Sequence, residues 1–205
     1  MLTQRFKSMN YKAAQSRALI IDKINDKYFQ EWRKILELGC WDWEFARSLR
    51  STAPNLKRYV WCDINNLVLE YNVLDEYYLI DFESFWKILE EEKPDFVLIA
   101  YTLHHIVDDE VIKKYLNVIK SKWIRILVIE EIAVNPIYKQ VLCINDLGNV
   151  LEYRSGINDR KEYFAFNFKS RKQWFSLFKK ASYSPKLIGS VIRKFYIYCE
   201  MYELS

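Results

Sequence analysis

Hydrophobic residues along this chain follow two patterns, a helical stripe and short continuous apolar runs. Residues 10–32 place apolar side chains at three-to-four spacing, which predicts an amphipathic helix. Apolar runs without polar alternation follow at intervals, and each predicts a strand that is covered on both faces. Such strands are predicted at residues 35–38, 58–62, 95–101 and 124–129.

Capping residues and apolar stripes predict helices between these strands. Asp108 or Asp109 caps a helix whose apolar residues share one face. Ser170 and Gln173 fit a capping box that opens another helix, which continues through Ala181. Amphipathic segments predict two more helices, at residues 44–50 and 82–92.

Two regions complete the predicted sheet. Residues 77–80 and 73–74 compete for the third strand, because both are short apolar runs within a longer patch. The β-rich runs at 186–191 and 195–203 are spaced like a hairpin, which would bring an antiparallel strand into the sheet.

The alternation of strands and helices predicts a single α/β domain over residues 1–205. Continuous apolar strands indicate a mostly parallel sheet with helices on both faces, which is a three-layer sandwich. Residues 1–33 are predicted to form an N-terminal helical arm. Residues 133–168 break the rhythm with prolines, glycines and many polar residues, so we interpret them as an insertion or lid.

Composition narrows the classes of protein. Apolar residues at 51% and aromatic residues at 17% argue against disorder. There is no apolar run of membrane-spanning length and no secretory signal, so we expect a cytoplasmic protein that does not enter a membrane. The four cysteines are scattered, and no metal site is expected. Four glycines are too few for a Gly-rich phosphate loop.

The stretch ELGCWDW, residues 37–43, carries the most specific signal. A strand, one glycine and a helix start form the layout that holds nucleotide-like ligands against backbone N–H groups. The stretch resembles the first motif of class I S-adenosylmethionine (SAM)-dependent methyltransferases. The resemblance implies a seven-stranded sheet and a SAM site that includes Glu37, Gly39, Cys40 and Trp41.

The same stretch departs from the family pattern, because Trp41 and Trp43 stand where glycines are usual. Three interpretations stay open. Trp43 turns outward and SAM still binds; the alignment slips by one residue and the loop differs in shape; or an indole ring fills the cofactor volume and leaves a scaffold without catalysis.

Acidic residues after the next two strands extend the resemblance. Asp63, followed by Ile64, is placed to hydrogen-bond the ribose of SAM, although it could instead cap the next turn. Asp81 and Phe82 resemble the acidic and apolar pair that contacts adenine. Asp75 takes that role if the third strand is 73–74.

The stretch DFVLIAYTLHHIVDDE, residues 95–110, resembles the fourth-strand motif of methyltransferases that act on small molecules. Tyr101 would line the methyl-donor pocket. His104 and His105 are candidate general bases, with packing or a cofactor contact as the alternative. The residues after this strand do not fit the Lys-Asp-Lys-Glu type of RNA 2′-O-methyltransferase, nor the Asn/Asp-Pro-Pro-Tyr type of amino methyltransferase.

The sequence therefore predicts a SAM-dependent methyltransferase whose acceptor, a small molecule or a nucleic acid, is not identified. The alternative is a catalytically degenerate methyltransferase fold that serves as a binding or regulatory subunit. Residues 1–34 carry a net charge of +5 and residues 160–205 a net charge of +7. Residues 35–159 between them carry a net charge of −8. These basic flanks suit a nucleic acid or another polyanion, with aromatic residues between the lysines of the second flank as candidate stacking partners. The alternative is that the lysines are solvated on surface helices and that an amphipathic helix buries the aromatic residues against the sheet.

Overall fold

A computed structural model describes residues 34–39, 56–63, 76–79, 82–153, 166–193 and 197–205. The predicted N-terminal arm, the helix at 44–50 and the competing strand at 73–74 lie outside these residues.

Seven strands of the described residues form one sheet, in the order β3-β2-β1-β4-β5-β7-β6. Strands β1 to β5 run parallel, while β7 is antiparallel to both β5 and β6. The bounds are β1 Lys34–Leu38, β2 Arg58–Asp63, β3 Glu76–Leu79, β4 Phe96–Ala100, β5 Arg125–Glu131, β6 Pro185–Arg193 and β7 Ile197–Leu204. The prediction of a mostly parallel α/β sheet with antiparallel strands at its C-terminal end is confirmed, and β3 agrees with the run at 77–80.

Four helices occur in the described residues: α1 Phe82–Glu92, α2 Asp109–Ser121, α3 Pro136–Tyr153 and α4 Arg171–Lys180. The predicted caps are confirmed. The Asp108 side chain accepts a hydrogen bond from the Glu110 backbone N–H, and Ser170 with Gln173 forms the capping box of α4. The sequence pattern does not predict α3. Its Pro136 is tolerated in the first turn, but the interior Gly148 weakens helix propensity.

The core lies on both faces of the sheet. One face packs against the apolar sides of α1, α2 and α4, with Phe85, Leu116 and Trp174 at or near complete burial. The other face packs against Leu142 of α3 and against Phe168. By its bounds, helix α3 lies within the predicted insertion at 133–168. The lid role of that segment stays a prediction.

No helix among the described residues has the length and apolar character needed to cross a membrane. Cys62 and Cys199 are buried and Cys143 is half-buried. The cytoplasmic location stays a prediction.

A buried carboxylate ties together the amino ends of the strands. Glu92, at the end of α1, is 5% exposed. It accepts two hydrogen bonds of 2.9 Å from the Arg58 guanidinium and one of 2.9 Å from the Tyr78 hydroxyl. The Lys34 ammonium lies 2.7 Å away. Because these partners begin β1 and β2 and lie on β3, Glu92 fixes three neighbouring strands to one helix.

We predict that Glu92→Gln lowers the free energy of unfolding by about 2 kcal/mol, because the charge-assisted bonds weaken and the cations lose their counter-charge. Glu90→Gln is the matched control. Glu90 pairs with Lys122 on the surface, and its loss should cost less than about 1 kcal/mol. Urea denaturation of the two variants measures the difference, and equal effects would contradict the role given to Glu92.

Candidate functional site

The carboxyl ends of β1, β2, β4 and β5 meet at one edge of the sheet, because these strands are parallel. Strand order reverses between β1 and β4, which are neighbours in the sheet. From β1 the chain continues outward to β2 and β3, and from β4 it continues to β5 on the other side. In open α/β sheets this reversal leaves a crevice that binds ligands. Six of the residues singled out in the sequence lie at this edge: Glu37, Gly39, Asp63, Tyr101, His104 and His105.

The other predicted site residues are not placed by the structure. Cys40, Trp41, Trp43, Ile64 and Asp81 lie outside the described residues. Phe82 is the first residue of α1.

Glu37, on β1, is 3% exposed, and its carboxylate accepts a 2.7 Å hydrogen bond from the Tyr59 hydroxyl on β2. Burial of a carboxylate is costly without such a partner. This bond therefore fixes the acidic residue of the first motif against the neighbouring strand.

The turn at Gly39 is built against Thr102. Gly39 has a φ of +76°, and a Cβ at this position would lie 2.2 Å from the Thr102 side chain. The Thr102 hydroxyl lies 3.1 Å from the carbonyl oxygens of Leu38 and Gly39 and 3.0 Å from that of Ala100. Glycine is thus required both by the left-handed backbone and by the close approach of the chain after β4.

Asp63 ends β2 beside this turn. The Gly39 N–H donates a 2.7 Å hydrogen bond to the carbonyl of Cys62, so the ends of β1 and β2 are joined. Asp63 is 6% exposed. Asp63 therefore places a carboxylate at the end of the strand next to the Gly39 turn, the position that the resemblance implies.

Tyr101 follows β4 in a left-handed backbone conformation, with a φ of +56°. Such a conformation costs a non-glycine residue roughly 1–2 kcal/mol. The Tyr101 N–H donates to the Ile129 carbonyl at 2.8 Å, which holds the residue in place. Three other described non-glycine residues have a positive φ: Lys93, Trp123 and Ser182. Each of them precedes a strand at the opposite edge of the sheet. Among the described residues, backbone strain at the carboxyl edge is therefore confined to Tyr101.

A fully buried carboxylate organises the turn Leu103–His105. Oε1 of Glu130, near the end of β5, accepts hydrogen bonds from the N–H groups of Thr102 at 3.1 Å and Leu103 at 2.7 Å. Its Oε2 lies 2.6 Å from Nδ1 of His104. Burial raises the pKa of Glu130 to about 8, although the backbone bonds from Leu103 and Thr102 act in the opposite direction.

The two histidines occupy different environments. His104 is 2% exposed and stacks on Phe168 with ring centroids 4.5 Å apart. His105 is half-buried, and its Nδ1 lies 3.6 Å from Oδ2 of Asp146 on α3. Burial and the neighbouring His104 lower the pKa of His105 to about 2, so His105 is neutral near pH 7. A group with so low a pKa is a weak general base.

A polar network holds the turn from the other side. The Asn167 N–H donates to the His104 carbonyl at 2.9 Å, and its Nδ2 donates to the Ile106 carbonyl at 2.9 Å. The Lys169 ammonium bonds Oδ1 of Asn167 at 2.6 Å and Oδ1 of Asp109 at 2.8 Å. This network, Asn167–Lys169–Asp109, joins the turn to the start of α2.

The sequence pattern does not single out the residues that hold the turn, which are Thr102, Glu130, Asp146 and Asn167. Glu130 was detectable, because it is an acidic residue at the end of a buried apolar run, the signal that singles out Asp63. Asp146 was not, because α3 is not predicted.

Three aromatic residues of the second basic flank, residues 160–205, are not exposed for stacking. Phe168, Trp174 and Phe178 are buried, so they cannot stack on bases. Lys169 lies in the polar network, and Arg171 binds Glu200. Three other lysines of this flank line an open cavity of about 430 Å³ with Phe175 and Ser176: Lys172, Lys179 and Lys180. Binding of a polyanion by these lysines stays a prediction.

Comparison with known proteins gives matches in structure alone. No protein-family model matches the chain, and no curated protein sequence matches it. Human N-acetylserotonin methyltransferase, solved in complex with SAM, superposes with a TM-score of 0.61 at 13% identity over 95% of this chain and 56% of that protein. A SAM-dependent methyltransferase from Archaeoglobus fulgidus gives 0.58 at 14% identity, over 92% and 94%.

A third match is a cyclopropane-fatty-acyl-phospholipid synthase-like protein from Lactobacillus casei, with a TM-score of 0.62 at 9% identity over 95% of this chain and 90% of that one. At these identities the likeness shows the fold. The chain spans about half the length of N-acetylserotonin methyltransferase. The fold that the resemblance to class I methyltransferases implies is confirmed.

We predict that Thr102→Val lowers the free energy of unfolding by about 2 kcal/mol, because the hydroxyl donor between the β1 and β4 turns is lost. Thr102→Ser keeps the hydroxyl and should cost less than half as much. Chemical denaturation compares the two variants. A Ser variant as unstable as the Val variant would show that the methyl contact, and not the hydrogen bond, matters.

We also predict a pH-dependent contribution from Asp109. Burial acts to raise its pKa, but hydrogen bonds from Lys169 and Asn167 lower the pKa on balance. A carboxyl whose pKa is lower in the folded state stabilises the fold above its unfolded pKa of about 3.9, and this stabilisation is lost as the pH falls. Asp109→Asn should therefore cost about 1 kcal/mol at pH 7, and less near pH 3.

Unfolding curves at pH 7, 5 and 3 measure this effect. Glu110→Gln, in the same exposed turn of α2, is the control and should show a smaller difference. A cost of Asp109→Asn that is the same at all three pH values would contradict the prediction.

Proposed function

We propose that this chain, which has the fold of class I SAM-dependent methyltransferases, binds SAM at the carboxyl ends of β1, β2 and β4 and transfers its methyl group to an acceptor. The observation that carries the proposal is the pairing of a glycine turn at Gly39 with a carboxylate, Asp63, on the adjacent strand. Gly39 follows β1, where strand order reverses, and Asp63 ends the neighbouring β2.

The residues at this edge fit the chemistry of SAM. Asp63 would accept hydrogen bonds from the ribose hydroxyl groups. The backbone of the Gly39 turn, joined to β2 through the Cys62 carbonyl, would lie beside the ligand, and Glu37 would face the amino-acid end of SAM. Cys40, Trp41, Ile64, Asp81 and Phe82 complete the proposed site by their sequence positions. When bound, SAM supplies an electrophilic methyl group on its sulfonium.

The chain's own contribution is positioning. Transfer from a sulfonium needs mainly the correct placement of the acceptor. Tyr101 is held by the Ile129 carbonyl and the turn after β4 is held by Glu130, so both would offer the acceptor fixed positions at the end of β4. His104 is 2% exposed, and the low pKa of His105 does not suit a base. The geometry therefore favours orientation over proton transfer, while a general-base role for His104 or His105 stays a prediction.

The acceptor is proposed as a small molecule or a nucleic acid. The LHH turn favours the first and the basic flanks favour the second. The degenerate-scaffold alternative depends on the indole rings of Trp41 and Trp43, and a measurement of SAM binding separates it from the enzyme.

We expect SAM and S-adenosylhomocysteine to bind the purified chain in isothermal titration calorimetry. Asp63→Asn should weaken binding by about 10- to 100-fold, because charge-assisted hydrogen bonds to the ribose become neutral ones. Asp95→Asn is the matched control. Asp95 accepts the Lys34 N–H at 2.7 Å at the opposite edge of the sheet, and its replacement should leave affinity unchanged.

Absence of heat with about 1 mM ligand would reject SAM binding and support the degenerate scaffold. If Trp41→Gly with Trp43→Gly then creates binding, the indole rings are the cause. Binding by the wild type that is insensitive to Asp63→Asn would reject the proposed site. Thermal unfolding of each variant confirms that it is folded.

A further inference from the structure

Three potential metal ligands meet beside the turn after β4. His104 and His105 come from this turn, and Asp146 comes from α3, which crosses the same region. One ligand atom from each residue lies within 4.8 Å of the other two. His104 and Asp146 are buried and His105 is half-buried, so the cluster is largely shielded from solvent.

The cluster has a supporting carboxylate of the kind found behind metal-binding histidines. Glu130 engages Nδ1 of His104 at 2.6 Å, which fixes the ring and leaves Nε2 as the atom for a ligand. Metal-ligating histidines commonly bond a carboxylate through their second ring nitrogen. Glu130 is itself fixed by the N–H groups of Thr102 and Leu103.

The His104 ring is also held in orientation by its neighbours. It stacks on Phe168, and its centroid lies 4.2 Å from that of His105. The backbone carbonyl of His104 accepts the Asn167 N–H. The first ligand is therefore held by Glu130, Phe168 and Asn167, while Nδ1 of His105 lies 3.6 Å from Oδ2 of Asp146.

We propose that His104, His105 and Asp146 bind a divalent transition-metal ion, with Zn²⁺ as the reference ion. Two imidazole nitrogens and one carboxylate oxygen form a ligand set typical of zinc and non-haem iron. Ligand atoms around tetrahedral zinc lie about 3.3 Å apart, given bond lengths near 2.0–2.1 Å. The present spacing of up to 4.8 Å would contract toward this value when a metal ion binds.

Three protein ligands leave a fourth position open, as in catalytic rather than structural zinc sites. If the proposed function holds, an oxygen or nitrogen atom of the acceptor would take this position. Metal binding itself does not depend on methyl transfer. The proposal differs from the expectation of no metal site, because the third ligand lies on a helix that the sequence pattern does not predict.

The test uses the full chain after removal of metal with a chelator. We expect about one equivalent of Zn²⁺ to bind in isothermal titration calorimetry, and Co²⁺ to give the visible absorption of a low-coordinate N/O site without a thiolate charge-transfer band. Asp146→Asn and His105→Gln should each weaken Zn²⁺ binding by at least about tenfold. Cys143→Ser, one turn away from Asp146 on α3, is the matched control and should bind like the wild type.

Failure of the wild type to bind Zn²⁺, or equal affinity in the wild type and both ligand variants, would overturn the proposal. A thiolate band that disappears in Cys143→Ser would do the same, because it would show a cysteine site. Circular dichroism confirms that each variant is folded. A SAM titration on the same preparation distinguishes the metal site from the proposed function. A protein that binds Zn²⁺ but not SAM would reject only the proposed function.

Discussion

The buried carboxylate of Glu130 is the interaction on which the candidate site depends. It has no exposed surface, and it satisfies two backbone N–H groups of the chain after β4 together with one histidine ring. A buried carboxylate is costly unless it is fully hydrogen-bonded. The turn must therefore adopt a shape that brings these donors to one point, and that shape sets the positions of Thr102, His104 and His105.

Thr102 carries the same constraint to the neighbouring strand. Its N–H is held by Glu130, while its hydroxyl lies between the carbonyl groups of β1 and β4. The space left beside it admits only a glycine at position 39. The glycine of the first motif is thus explained within the chain by the contact with Thr102, in addition to any close approach of a ligand.

Most of the fold could be predicted from the sequence, because its signals are local. Continuous apolar runs gave the strands, and the caps at Asp108 and Ser170 act within a single turn. Helix α3 could not be predicted, since Gly148 weakens its propensity and its buried Leu142 is held by contacts with distant strands. The site was predictable where a residue follows its strand directly, as for Asp63 and Tyr101. The pairings Glu130–His104 and His105–Asp146 were not, because they join residues that are far apart in the chain.

The anchor at Glu92 has a consequence for how this architecture tolerates change. It binds the first residues of β1 and β2 to α1 at the edge opposite the candidate site. This anchor of the sheet and the candidate site thus lie at different ends of the same strands. A substitution at the candidate site leaves the anchor in place, so the two edges can be altered independently of each other.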